Sequence, residues 1–65
     1  MIEYSNSQIA ILIDEYVHNQ RDRALLKRRY IDGLTFERLS EEFGLSVRQT
    51  KNIVYKSSEK VLKHL

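Results

Sequence analysis

Gly44 separates two short amphipathic segments, and this arrangement constrains the fold more than any other feature of the sequence. Upstream, Leu39 and Phe43 have the spacing of neighbouring apolar positions on one helix face. Glycine adopts the left-handed conformation that ends a helix without a side-chain penalty. Downstream, Ser46 and Gln49 have the spacing of a capping box that begins a helix. The pattern therefore predicts a helix-turn-helix.

The rest of the chain also favours helices, because it contains no proline and only two glycines. Ser5 and Gln8 form another candidate capping box. An apolar stripe at helical spacing follows, made of Ile9, Leu12, Ile13, Tyr16 and Val17. We predict a single all-α domain over 1–65, a small four-helix domain with helices at about 7–17, 20–31, 36–43 and 47–63.

Further helix ends and inner faces follow from the same rules. Asn19 and Thr35 are suitable N-caps for the second and third helices, and Asp32-Gly33 ends the second. One side of the second helix is crowded by Ala24, Leu25, Leu26, Arg29 and Tyr30. The inner positions predicted for the third helix are Phe36, Leu39, Ser40 and Phe43. Those of the last helix are Val47, Thr50, Val54, Ser57, Val61 and Leu62, with Ile53 at the edge.

Charge is unevenly distributed along the chain, although the formal net charge is only +2. Residues 19–31 and 45–65 each carry five basic residues and one acidic residue. The segments 1–18 and 32–44 are net acidic. Two basic helices separated by acidic segments favour a face that binds an anionic polymer. Ordinary solvated helix surface is the alternative interpretation.

The outward positions of the last helix carry side chains suited to nucleic acid. They are Arg48, Gln49, Lys51, Asn52, Tyr55 and Lys56. No acidic residue lies between Gly44 and Lys56, where a negative charge would repel phosphates. A helix-turn-helix inserts its second helix into the major groove, where Arg pairs with guanine and Asn or Gln with adenine. A generic helix pair with a polar exterior is the alternative.

A longer segment, from Arg21 to Val47, resembles region 4 of the sigma-70 family of bacterial RNA polymerase specificity factors. The resemblance rests on an arginine–tyrosine pair, an acidic-Gly-Leu-Thr loop, a Gly-Leu-Ser-Val turn and a trailing basic helix, in the family's order. The resemblance covers roughly 19–64. The same segment is also similar to short regulators of phages and mobile elements. Thr50 and Ser57 depart from the valine and alanine common in the family. The resemblance implies promoter recognition by the last helix and docking on RNA polymerase.

When the DNA-binding positions of the family are transferred to this sequence, the resemblance implies a set of DNA-binding residues. Those entering the groove would be Arg48, Gln49, Lys51 and Asn52. Ser46 would meet a phosphate at the helix start, and Tyr55 and Lys56 would touch the backbone or a thymine methyl. Thr35, Arg38, Arg28 and Lys27 would contact or flank the phosphates. Each of these residues also has an interpretation as solvated surface.

No pattern in the chain indicates an enzyme. The paired carboxylates Asp14-Glu15 and Glu41-Glu42 are typical of solvated helix surface, and His18 and His64 lack the partners of a metal site. We therefore predict no catalytic residue, no metal and no cofactor. The absence of cysteine suits a reducing cytoplasm, and no apolar run is long enough for a membrane span.

The partners expected from the sequence are double-stranded DNA and, through the resemblance, RNA polymerase. Ile2, Tyr4, Ile11 and Leu65 could extend an exposed apolar patch beside the first helix, and a homodimer is a further expectation. Two rival functions stay open at this stage. One is a protein-interaction module that binds RNA polymerase or a sigma factor with little DNA contact. The other is a helical mini-domain without a ligand.

Overall fold

A computed structural model describes residues 4–65, which form four helices and no strand. The helices are α1 (Asn6–Tyr16), α2 (Gln20–Tyr30), α3 (Phe36–Phe43) and α4 (Val47–Leu62). This confirms the prediction of an all-α domain with four helices. Helix α1 begins and ends one residue before its predicted bounds, and α2 and α4 each end one residue early. Such differences are within the usual spread for frayed helix ends.

Polar side chains begin all four helices at the positions that the sequence predicted. Ser5, Asn19, Thr35 and Ser46 are extended in backbone conformation, and each side chain accepts a hydrogen bond from a backbone N–H three residues later. The capping boxes of α1 and α4 are complete. Because an N-cap satisfies one of the four free N–H groups at a helix start, these residues fix where each helix begins.

The connection between α3 and α4 consists of three residues, Gly44 to Ser46. Gly44 has φ +66° and ψ +35°, the left-handed conformation predicted for it. Its N–H and that of Leu45 both donate to the Ser40 carbonyl, the latter at 2.9 Å. These bonds satisfy the end of α3 and turn the chain directly into α4.

Among residues 4–65, six buried apolar side chains form the core: Ile13, Val17, Leu25, Leu26, Leu39 and Val54. They come from all four helices and from Val17, which follows α1 directly. Helix α4 packs against each of the other three helices, whereas α1 and α3 do not meet. Helix α2 also contacts the other three helices, so α2 and α4 together form the centre of the fold, and the remaining face of α4 lies outward.

Three small polar side chains are buried where the helices pack: Ser40, Thr50 and Ser57. The Ser40 hydroxyl donates to the Glu37 carbonyl at 2.7 Å, and the Thr50 hydroxyl donates to the Ser46 carbonyl at 2.8 Å. Each of these two hydroxyls thus donates to a backbone carbonyl three or four residues earlier in the chain, so neither is an unsatisfied donor in the core. Small residues here let α3 and α4 approach closely.

Two inner-face predictions are wrong. Tyr30 and Leu62 were predicted to face inward, but Tyr30 is 50% exposed and Leu62 is 62% exposed. Both lie in the last turn of their helices and line an apolar cleft that is open to solvent. Of the predicted exposed patch, Tyr4, Ile11 and Leu65 are exposed, whereas Ile2 lies outside the described residues.

Candidate nucleic-acid interface

The outward face of α4 carries all six side chains that the sequence predicted there. Each of them is exposed: Arg48, Gln49, Lys51, Asn52, Tyr55 and Lys56. Arg48, Lys51, Asn52 and Tyr55 are spaced at i, i+3, i+4 and i+7, so they form one stripe along the helix. The opposite side of α4 is anchored by Val54 and its neighbours in the core. We call the stripe with Lys56 the α4 face.

The cations of the α4 face form no ion pairs with other described residues of the protein. Within residues 4–65, Arg48, Lys51 and Lys56 form no salt bridge. Glu59 is the only acidic residue after Glu42 in the sequence. The α4 face therefore presents a positive charge that protein groups do not neutralise, which favours an anionic partner.

The cations of α2 behave differently, although α2 is also strongly basic. The Lys27 ammonium lies 2.7 Å from Asp14 of α1, and this contact lowers the pKa of the Asp14 carboxyl. Arg23 donates to the backbone carbonyls of Asp14 and Val17, the first at 2.7 Å. These contacts tie α2 to the end of α1, so the basic character of α2 largely serves the fold.

Arg28 shows the same pattern, and it was one of the predicted DNA-binding residues. Its guanidinium donates to both Glu42 oxygens, at 2.9 and 2.5 Å, and to Asp32 at 2.9 Å. The hydrogen bonds raise the pKa of Arg28 and lower that of Glu42. A phosphate would have to compete with two carboxylates for this guanidinium, so Arg28 stays a prediction without geometric support.

The capping box limits what the start of α4 can offer a ligand. The Ser46 hydroxyl accepts from the Gln49 N–H at 3.1 Å, and the Gln49 side-chain carbonyl accepts from the Ser46 N–H at 3.0 Å. Gln49 thus cannot pair with adenine through both amide atoms unless this cap opens. The N–H groups of Val47 and Arg48, in the first turn, remain available for an anion.

The Phe36 ring lies where α2, α3 and α4 meet, and three side chains pack around it. The Arg29 guanidinium carbon lies 4.3 Å from the ring centroid, and the Lys51 ammonium lies 5.7 Å from it. Tyr55 meets the ring edge-on, with centroids 5.9 Å apart and planes at 71°. We call these four residues the Phe36 cluster. Two residues of the α4 face are therefore held at the start of α3.

Arg29 is a functional candidate that the sequence reasoning missed as a DNA-facing residue. Its helical position assigned it to the crowded inner side of α2, and it is half-buried. However, its guanidinium donates to the Leu34 carbonyl at 2.8 Å and forms no salt bridge among the described residues. It thus adds a second cation beside Lys51. No sequence signal separates it from Arg28, because only the packing decides which arginine meets a carboxylate.

Thr35 and Arg38 lie at the start of α3, next to the Phe36 cluster. The Thr35 hydroxyl accepts from the Arg38 N–H at 3.2 Å and acts as the N-cap. The Arg38 side chain is exposed and has no ion-pair partner in residues 4–65. Arg38 lines a shallow cleft together with Glu41 and Glu42, so phosphate contact by Thr35 and Arg38 stays a prediction.

A second surface feature is an apolar cleft of about 240 Å³ between α1, α2 and α4. Among residues 4–65, no charged residue lines it; its walls include Tyr4, Leu12, Tyr30, Ser58, Leu62 and Leu65. The hydroxyls of Tyr30 and Ser58 are hydrogen-bonded to each other at 2.9 Å. None of the helices described is long and apolar enough to cross a membrane.

The comparisons with known proteins gave no assignment: no protein-family model, no curated protein and no solved structure matches this chain. Within residues 4–65 no three His, Cys, Asp or Glu side chains are grouped to hold a metal ion. The features of the molecule that bear on its function are the α4 face, the Phe36 cluster and the apolar cleft.

Proposed function

We propose that this protein is a sequence-specific DNA-binding transcription regulator. In this proposal α3 and α4 act as a helix-turn-helix, and α4 lies in the major groove as the resemblance to sigma factor region 4 implies. One observation carries the proposal. The cations of α2 mostly meet internal carboxylates or carbonyls, whereas those of the α4 face meet none among the described residues.

The side chains of the α4 face divide into two roles by their chemistry. Arg48 and Asn52 lie one turn apart and suit base edges, guanine for the arginine and adenine for the asparagine. Lys51, Lys56 and Arg29 suit phosphates, because none of the three is paired with a carboxylate among the described residues. Gln49 and Ser46 act mainly as the cap that orients α4, and the first-turn N–H groups of Val47 and Arg48 suit a phosphate.

A single copy of so small a DNA-binding domain binds weakly. Specific affinity in such domains usually comes from two half-sites on a dimer, or from a partner already on the DNA. RNA polymerase is the partner that the resemblance implies. A palindromic target would favour a homodimer, and a single asymmetric element would favour action beside polymerase.

The test is the salt dependence of duplex binding, measured by fluorescence anisotropy on duplexes selected from a random pool. For the wild type we expect a slope corresponding to about four to six phosphates. Lys51→Ala should reduce the slope by about one. Lys27→Ala is the matched control, since Lys27 is paired with Asp14, and its slope should equal that of the wild type.

Base contact is tested with Arg48→Ala on the selected duplex and on variants with single base changes. The substitution should weaken binding and relax discrimination at one position, at a cost of about 1–3 kcal/mol. Equal affinity for all duplexes in both proteins would show that α4 contacts no bases. Equal salt slopes for Lys51→Ala, Lys27→Ala and wild type would contradict the electrostatic assignment.

A second candidate function is supported by the apolar cleft. A module that binds RNA polymerase or a sigma factor needs an exposed apolar surface, and Tyr30, Leu62 and Leu65 provide one. Leu62→Ala distinguishes the two functions, because Leu62 lies outside the α4 face. Loss of binding to polymerase with unchanged duplex affinity would support this candidate beside the first. If the wild type binds polymerase but no duplex, the protein-interaction function is favoured over DNA recognition.

A further inference from the structure

We infer that Phe36 is a positioning residue of the DNA-binding surface: its aromatic ring holds Lys51, Tyr55 and Arg29 in place before DNA is bound. The inference rests on the proposed function and deepens it. Phe36 itself is half-buried and carries no polar atom in its side chain, so it does not bind DNA through charge. Its effect is exerted through the side chains around its ring.

The geometry of the Phe36 cluster supports an aromatic role beyond filling space. Both cations lie within about 6 Å of the ring centroid, the range in which the ring quadrupole attracts a positive charge. The edge-on contact with Tyr55 is a favoured aromatic geometry. The three partners come from α2 and α4, so one ring of α3 fixes side chains of two other helices.

Order in these side chains matters because Lys and Arg are flexible. A free lysine or arginine loses rotamer freedom when it binds a phosphate, and that loss weakens binding. A ring that already restricts both cations reduces the conformational entropy that they lose when DNA binds. A leucine at this position would fill apolar space but would supply no quadrupole and no edge-on contact.

The first experiment compares Phe36→Leu with Phe36→Tyr, which keeps the ring. We expect Phe36→Leu to weaken duplex binding about three- to tenfold, the effect of losing two modest cation–π contacts. Its salt slope should stay that of the wild type, since no charge is removed. Phe36→Tyr should bind within about twofold of the wild type. Equal affinity in a folded Phe36→Leu variant would overturn the inference while leaving the proposed function intact.

A double-mutant cycle with Lys51→Ala shows whether Phe36 acts through Lys51. If it does, Phe36→Leu should weaken duplex binding less in the Lys51→Ala background than in the wild type. A purely structural defect would give the same loss in both backgrounds. Strict additivity of the two substitutions would therefore contradict the positioning role.

A measurement on the free protein separates failure of this inference from failure of the proposed function. Side-chain protons of Lys51 and Arg29 near the ring should show upfield ring-current shifts by NMR in the wild type and in Phe36→Tyr. The shifts should vanish in Phe36→Leu. This readout needs no DNA, so it stands even if the wild type binds no duplex. Random-coil shifts for both side chains in the wild type would overturn the inference.

Discussion

At the scale of single residues, Ser46 links the fold to the candidate interface. Its side chain caps α4, its backbone N–H is satisfied by Gln49, and its carbonyl accepts from Thr50 in the core. One residue thus sets where α4 begins, and with it the angular position of every side chain on the α4 face. The same bonds explain why Gln49 is better suited to capping than to base contact.

Substitution of this cap should be measurable in stability. Ser46→Ala removes the acceptor for the Gln49 N–H, and we expect a loss of about 1 kcal/mol in the free energy of unfolding. Ser7→Ala is the matched control, because Ser7 is exposed inside α1 and its hydroxyl caps no helix. Chemical denaturation gives both values. Equal stability of the two variants would contradict the capping role.

Residue-scale features were also the most predictable ones from the sequence. The N-caps, the capping boxes and the left-handed Gly33 and Gly44 follow from local backbone chemistry, and all lie where the sequence predicted. Local rules failed at Tyr30 and Leu62, because periodicity identifies a helix face but does not say how far the neighbouring elements extend along it.

At the scale of the helices, α2 and α4 differ in how their charges are used. Both are strongly basic in sequence. Arg28 of α2 meets Glu42 of α3, and Lys27 meets Asp14 of α1, whereas the cations of the α4 face form no ion pair among the described residues. Charge counting along the chain cannot distinguish these two helices, because α1 and α3 pack against both of them and only the packing decides which cations meet a carboxylate.

The Arg28–Glu42 pair should make stability depend on pH in a defined direction. The pKa of Glu42 is lowered from 4.5 in the folded protein, so the unfolded chain binds its proton first as the pH falls. The stabilisation is present above pH 4.5 and is lost as acidification proceeds through the lower folded pKa. Melting temperatures of the wild type should therefore fall on acidification below that point.

Substitution of Glu42 tests whether the Arg28–Glu42 pair causes this pH dependence. Glu42→Gln should flatten the acid limb of the melting curve, since the titrating carboxylate is gone. Glu41→Gln is the control, because Glu41 is an exposed neighbour with no ion pair in the described part of the chain. An acid limb that is equally steep in wild type and Glu42→Gln would count against the role of the pair.

At the scale of the whole molecule, a small core holds α4 in place. Six side chains form its buried apolar part, and the rest of the chain packs around them. A domain of this size buries a smaller share of its surface than a larger one does, so its stability margin is narrow. The orientation of the α4 face depends on that core, because α4 packs against every other helix.

A single core truncation should therefore affect the entire domain. Leu25 is fully buried, and Leu25→Ala should cost about 2–5 kcal/mol in the free energy of unfolding, enough to populate the unfolded state. Ile11→Ala removes a comparable side chain that is 56% exposed and should leave stability nearly unchanged. Thermal melts followed by circular dichroism measure both. A Leu25→Ala protein as stable as the wild type would contradict the assigned core.

The sequence predicted the four helices and the outward face of α4, since both depend on periodicity within one segment. It did not predict the Phe36 cluster, the neutralisation of Arg28 or the apolar cleft. Each of these combines side chains from helices that are distant in sequence, as with Arg29, Phe36 and Lys51. Their spacing along the chain carries no information on which partner each will meet.

Binding of duplex DNA by the α4 face can be mapped by an NMR titration of the isotopically labelled protein with a selected duplex. We predict that the largest amide shift changes fall in residues 46–56 and at the start of α3, around Thr35 and Phe36. Residues lining the apolar cleft should change little. Shift changes confined to the cleft, or none at any duplex concentration, would contradict the account.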